Sequence, residues 1–155
     1  MKPLPYFFMF LLLLSVSCSP SEKPDPAKNM KPTNPAVYFE IPVNDLERAE
    51  KFYSAVFNFS FTKEIIDGYE MALFPFEEKN SGITGALAKG KAYKPSKDGV
   101  IIYFKTENID QTLEKAVRYG GSVLYPKRTD DKYGFAVAEF EDSEGNRIAL
   151  HETVR

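Results

Sequence analysis

The chain has 155 residues, 43% of them hydrophobic and 27% charged, and its 20 Lys and Arg against 22 Asp and Glu leave a net charge of −2. Those proportions fit one globular domain and supply no basic stripe to neutralise phosphates, which argues against nucleic-acid binding on electrostatic grounds. A single Cys and a single His exclude intramolecular disulfides, Cys-rich zinc sites and any metal site that draws two imidazoles from one chain.

Lys2 precedes an apolar run from Tyr6 to Leu14, followed by Ser15-Val16-Ser17-Cys18, the order of an export signal. The run is shorter than the ~20 residues that a membrane-spanning helix needs. Small residues directly before the lone Cys resemble the lipobox of bacterial lipoproteins, with Leu14 one place early and Ser15 in its slot. The resemblance implies a signal peptide over residues 1–17, cleavage before Cys18 and attachment to a membrane through lipid on Cys18. The alternative is a plain signal peptide or an incidental Cys. Loss of residues 1–17 removes one charged side chain, Lys2, and takes the net charge from −2 to −3. Ser19 next to a lipidated Cys implies the outer membrane if the source is Gram-negative, so the expected location is the cell envelope.

Residues 18–35 form the expected tether, because Ser19 to Pro35 (SPSEKPDPAKNMKPTNP) carries five prolines and too little apolar surface to offset the entropy of ordering. The folded domain is expected over residues 36–155, about 120 residues and enough for one core.

Within that domain the chain says nearly the same thing twice. Val37 to Val43 alternates as a strand does, and Asn44-Asp45-Leu46-Glu47 offers an Asn N-cap with a reciprocal Glu. A helix follows to about Phe57, with Leu46, Ala49, Tyr53 and Val56 on one face. Phe59 to Ile66 reads as a strand, Asp67-Gly68 as a tight hairpin turn and Tyr69 to Phe74 as the partner strand. A looser segment, Glu77 to Gly82, leads to a fourth strand at Ile83 to Ala88. The second unit opens with a strand at Val100 to Lys105, and Asn108-Ile109-Asp110-Gln111 repeats the capping signal. Ile109, Leu113, Ala116 and Val117 make one face of a second helix, ended by Gly120-Gly121. Strands follow at Ser122 to Tyr125, Phe135 to Phe140 and Arg147 to Glu152, the last two joined by the turn-rich Asp142-Ser143-Glu144-Gly145-Asn146. The Asn caps at 44 and 108 stand 64 residues apart. The expected class is therefore α+β, two tandem βαβββ modules.

FEIPVNDLERAEKFYSAVF at Phe39 to Phe57, FKTENIDQTLEKAVRYGGSVLYPK at Phe104 to Lys127 and FEDSEGNRIALHE at Phe140 to Glu152 together resemble the vicinal oxygen chelate superfamily of glyoxalase I, bleomycin-resistance proteins and extradiol dioxygenases. The likeness covers about residues 35–152, and the D-x-E-G-N turn is its most specific piece. It implies two repeats curled into a half-open cup with a divalent metal inside it where one is present, and subunits that commonly pair as homodimers. Metal-binding members carry a His seven residues before the helix-start Asp; that slot is Tyr38, counted from Asp45. The same count back from Asn108 reaches Ile101, and the slot of the usual Glu on the last strand is Ala149. A phenol, an alkyl group and a methyl are not ligands for Zn²⁺, Ni²⁺ or Fe²⁺. No metal cofactor is expected at that place, and glyoxalase or dioxygenase chemistry of the metal-dependent kind is disfavoured.

Alternation along the strands says what faces the cup. With the former ligand slots inward, Tyr38, Glu40, Ile101, Tyr103, Lys105, Ala149 and His151 face it, and Val37, Phe39, Ile41, Ile102, Phe104, Ile148 and Leu150 face the helices. Tyr38, Ile101, Tyr103, Lys105 and Ala149 are the expected ligand-binding residues. Glu40 and His151 are the candidate catalytic pair, since a carboxylate can fix an imidazole tautomer for acid–base work. The bland alternatives are a solvated His151, a Glu40 paired with Lys105, and tyrosines that only fill space. Lys127 to Lys132 is expected as a charged connecting loop, and Gly82, Gly85 and Gly90 form no phosphate-binding pattern.

Three functions follow as expectations. The first is an exported, lipid-anchored protein that binds a small apolar or aromatic ligand without the metal triad, as bleomycin-resistance proteins sequester theirs. The second is an isomerase, epimerase, lyase or glyoxalase-like enzyme using Glu40 and His151, or a divalent metal on unfamiliar ligands. The third is an envelope interaction module whose cup is filled by side chains.

Overall fold

The computed structural model describes residues 34–77, 79 and 82–154. The expected signal peptide, Cys18 and all of the tether except residues 34 and 35 lie outside them. Strand β1 (Tyr38–Val43) alternates as its sequence requires: Ile41 and Val43 are buried, while Tyr38 and Glu40 are exposed. Val37, expected against the helices, precedes the strand and is 74% exposed. Helix α1 (Leu46–Phe57) buries Leu46, Ala49, Phe52, Tyr53 and Val56, an apolar stripe of period 3.6. It ends at Asn58, whose φ of 60° is left-handed.

The cap of α1 corrects the sequence reading. Asp45, not Asn44, is the N-cap, and its Oδ1 accepts the amide of Arg48 at 3.0 Å. Glu47 is not the reciprocal partner; the amides of Asn44 and Asp45 are both taken by Glu144 from the second repeat, at 2.9 and 3.0 Å.

β2 (Thr62–Ile66) and β3 (Tyr69–Leu73) form a hairpin closed by Asp67 and Gly68 at φ 51° and 80°, the positive pair that a type I′ turn demands. β2 starts later than expected because Phe59 and Phe61 leave the ladder to pack on Phe57 and Phe74, with ring centroids 5.3 and 5.0 Å apart. β4 (Thr84–Lys89) pairs parallel with β1, giving the order β1-β4-β3-β2. Gly85 sits opposite Phe39, where a Cβ would come within 2.4 Å of the Phe39 carbonyl oxygen.

The second repeat follows the same plan: β5 (Ile102–Lys105), α2 (Ile109–Arg118), β6 (Ser122–Asp130), β7 (Phe135–Glu141) and β8 (Arg147–Thr153), in sheet order β5-β8-β7-β6. Asn108 caps α2 as expected, accepting from the Gln111 amide at 3.0 Å. Glu152 takes the Ile109 amide at 2.7 Å. Strand β6 runs through Lys127–Asp130, so the first part of the expected charged loop is an edge strand; its long polar side chains tolerate that half-solvated position. Measured between true caps, Asp45 and Asn108, the repeat offset is 63 residues.

Both sheets turn their apolar faces to one shared core that includes Ile41, Phe52, Tyr53, Leu87, Phe140 and Leu150. Phe104 of β5 touches Phe39, Tyr53, Phe57 and Phe74 of the first repeat at 4.9–6.2 Å between centroids. The Asp142–Asn146 turn locks the repeats together. Tyr53 Oη donates to Asp142 Oδ2 at 2.8 Å, and Asn146 Nδ2 donates to Asp142 and to the Pro42 carbonyl, both at 2.9 Å. Burial pushes the Asp142 carboxyl up, held back by hydrogen bonds from Asn146 and Tyr53; burial first and Asp142 second raise the Tyr53 phenol well above its ordinary range.

Candidate functional site

With Ile102, Phe104, Ile148, Leu150, Ala136, Ala138 and Phe140 packed on the core, alternation sends the other residues of the second sheet to its outer face. Register orders them in rows. Tyr103, Ala149, Glu139 and Tyr125 are successive cross-strand neighbours, and so are Lys105, His151, Val137 and Arg128. Two register shifts in β6, between Val123 and Tyr125 and between Tyr125 and Arg128, bring Tyr125 and Arg128 opposite the outward residues of β7.

The face holds a cavity of about 500 Å³ walled by Tyr125, Arg128, Phe135, Val137, Glu139 and Arg147 among others. Arg147 Nε donates to Glu139 Oε2, and its guanidinium lies 5.0 Å from the centroid of the Tyr125 ring. The Glu139 bond raises the Arg147 guanidinium further above its ordinary value, so Arg147 stays charged throughout the working range. His151 stacks on Phe135 at 5.4 Å, and Phe135 stacks on Tyr133 at 6.4 Å. Ala149 is fully buried between Tyr103 and Glu139. Among the described residues, Lys105 and Arg128 form no ion pair.

The outer face of the first sheet is different. Met71, Ala86 and Ala88 are covered there by Tyr69, Leu73 and Tyr93. Tyr93, from the segment joining the repeats, meets Tyr69 edge to face at 5.2 Å and donates to Glu40 Oε2 at 2.8 Å. That bond to a carboxylate pushes the Tyr93 phenol up to about 12. Tyr38, raised by burial and then by Glu40, stays 43% exposed at the end of β1.

The structure thus brings Tyr103, Lys105, Ala149 and His151 onto one face and places Tyr38 and Glu40 on the other sheet. Ile101 is half-buried just before β5. No hydrogen bond or ion pair joins Glu40 to His151, nor Glu40 to Lys105; Glu40 bonds Tyr93 and His151 stacks on Phe135. Sequence reasoning missed Arg147, Glu139, Tyr125, Arg128 and Phe135. Alternation outward from Ile148 and Phe140 could have found the first two and Phe135, whereas the shifts in β6 hide the others.

A larger cavity, about 820 Å³, lies beside the start of α1. It has no aromatic wall, and its two lysines, Lys63 and Lys89, are already paired with Glu50 and Glu70 at 3.2 and 2.9 Å. The donor set does not suit the metal that related folds hold: Tyr38, Ile101 and Ala149 supply no imidazole or carboxylate. No group of three or more His, Cys, Asp or Glu among the described residues is arranged to hold a metal ion. No helix among them is long and apolar enough to cross a membrane.

The model of the Glyoxalase family, the Glyoxalase/Bleomycin resistance protein/Dioxygenase superfamily, matches residues 36–150. The chain belongs to this superfamily. Solved glyoxalase-fold structures resemble it throughout the repeats. A glyoxalase/bleomycin resistance protein/dioxygenase family enzyme from Burkholderia phytofirmans PsJN aligns with a TM-score of 0.61 at 16% identity, covering 76% of this chain and 97% of that one. A hypothetical protein from S. aureus aligns at 0.57 and 23% identity, over 76% and 96% of the two chains. A glyoxalase I variant from Zea mays aligns at 0.56 and 17% identity over 75% of this chain and 45% of its own. At these identities the glyoxalase likeness establishes the fold. No curated protein matches the sequence.

Proposed function

We propose that this superfamily member binds a small aromatic molecule on the outer face of its second sheet, without the usual metal triad, and is exported and lipid-anchored at Cys18. The observation that carries the binding is the roughly 500 Å³ cavity between Tyr125, Phe135, Val137 and the Arg147–Glu139 pair. Apolar and aromatic walls with a few fixed polar groups are the usual make-up of a small-molecule site. The anchor rests on the order Lys2, apolar run, small residues, Cys18. Catalysis through Glu40 and His151 is the weaker reading, because each has a different partner.

A thermal-shift screen of the full chain against small aromatic compounds tests binding, with Tyr125→Ala as the comparison. Saturable stabilisation that Tyr125→Ala loses supports it; no stabilisation, or an equal one in the variant, overturns it. A stoichiometric metal found by elemental analysis of chelator-free protein overturns the metal-free part.

A further inference from the structure

We infer that the molecule taken by this face is an aromatic anion, its ring held by Tyr125 and Phe135 and its acid group met by Arg128 and Lys105. This deepens the binding reading above and rests on it. Of the three cations on the face, Arg147 is committed to Glu139, and Glu141 is taken up by Lys97 at 3.1 Å. Among the described residues Arg128 and Lys105 have no carboxylate partner, although both stand within the row that crosses the sheet at His151 and Val137. Asp130, on the same strand, spends Oδ1 on the amides of Lys132 and Tyr133 at 3.1 and 3.2 Å and makes no ion pair with Arg128.

Adjacent strands lie about 4.8 Å apart, so four neighbours in a row place the Cα atoms of Lys105 and Arg128 about 14 Å from one another. Both side chains are long and flexible, and each can lean toward the middle of the row. The middle of the row carries no carboxylate: Val137 is aliphatic, and the His151 ring lies flat against Phe135. An anion there meets a cation from either side and a ring beside it. The guanidinium of Arg128 offers a two-pronged fit to a carboxylate, which adds direction to the charge. A cationic ligand of the same shape meets two like charges at the same point.

The test compares three probes with the same ring, 2-naphthoate, 2-naphthylmethanol and 2-naphthylmethylammonium, by calorimetric titration of the full chain at low and high salt. The expected order is naphthoate tightest, by about tenfold over the alcohol, with the ammonium weakest and the naphthoate advantage shrinking in salt. Arg128→Gln and Lys105→Gln should each cut naphthoate affinity several-fold and lower that of the alcohol far less. Lys115→Gln, on the exposed side of α2, should alter neither. Equal binding of naphthoate and alcohol, both lost in Tyr125→Ala, overturns the anion inference and leaves the binding reading standing. Binding of none of the three, or a preference for the ammonium, overturns the inference as well, and the first of these also removes its basis.

Discussion

Arg48 and Glu144 stand 96 positions apart in sequence, and the guanidinium of the first grips the carboxylate of the second with bonds of 2.7 and 2.9 Å. The side chain of Glu144 is fully buried while that of Arg48 is half-exposed. The same carboxylate accepts the amides of Asn44 and Asp45. One residue of the second repeat therefore closes the start of the first helix, and its removal orphans three sets of donors. Glu144→Ala should cost roughly 3 kcal/mol, and Arg48→Ala somewhat less, because the buried carboxylate loses its counter-charge but keeps the amides of Asn44 and Asp45. Urea denaturation of both variants measures the difference, and equal losses would refute this account of the turn.

Tyr53→Phe removes one hydroxyl and the bond it gives to buried Asp142. A cost of about 1–2 kcal/mol is expected, and it should depend on pH. The Asp142 carboxyl is raised in the folded protein by burial, so its contribution is fully present in acid, where both states hold the proton, and declines as pH rises through the carboxylate range. The Tyr53 hydroxyl favours the ionised form and limits that decline. The gap between wild type and Tyr53→Phe should widen from acid to neutral pH; a constant gap in denaturant titrations across that range would count against the assignment.

Glu152 works with the opposite sign. The amide of Ile109, and after it the ammonium of Lys127 at 3.0 Å, holds its carboxyl below the ordinary range. The stabilisation is present above the ordinary carboxylate range and is lost as pH falls through the lowered value. Glu152→Gln should flatten the acid side of the stability profile, read by thermal melts at stepped pH. An unchanged acid limb would sink the prediction.

Tyr93 should titrate late, at about 12, because it donates to Glu40. Glu40→Gln removes the charge and should bring one phenol back toward ordinary tyrosine behaviour. Ultraviolet titration of the nine tyrosines in wild type and variant would resolve the shift, and identical curves would contradict the contact.

Much of the fold could be read from local pattern because its causes are local. The alternation of Phe39, Ile41 and Val43 with Tyr38 and Glu40 assigns both faces of β1, and Asp67-Gly68 states its own turn chemistry. The N-cap of α1 could not be read the same way. Asn44 and Asp45 are both good caps, and Glu144, which settles the choice by binding the amides of both, lies in the other repeat. The site was half legible for a related reason. Simple alternation put Tyr103, Lys105, Ala149 and His151 on one face, but the extra residues in β6 that turn Tyr125 and Arg128 toward them break the period on which such reading depends. Nor does anything local to Glu40 announce that Tyr93, 53 positions later, will occupy it.

The two βαβββ units give this chain two outer sheet faces of the same plan. Tyr93, packed over Met71, Ala86 and Ala88, covers part of one of them, and it comes from the segment between the two units. The two faces thereby differ. If the proposed binding holds, the stoichiometry expected is one guest per chain, on the outer face of the second sheet.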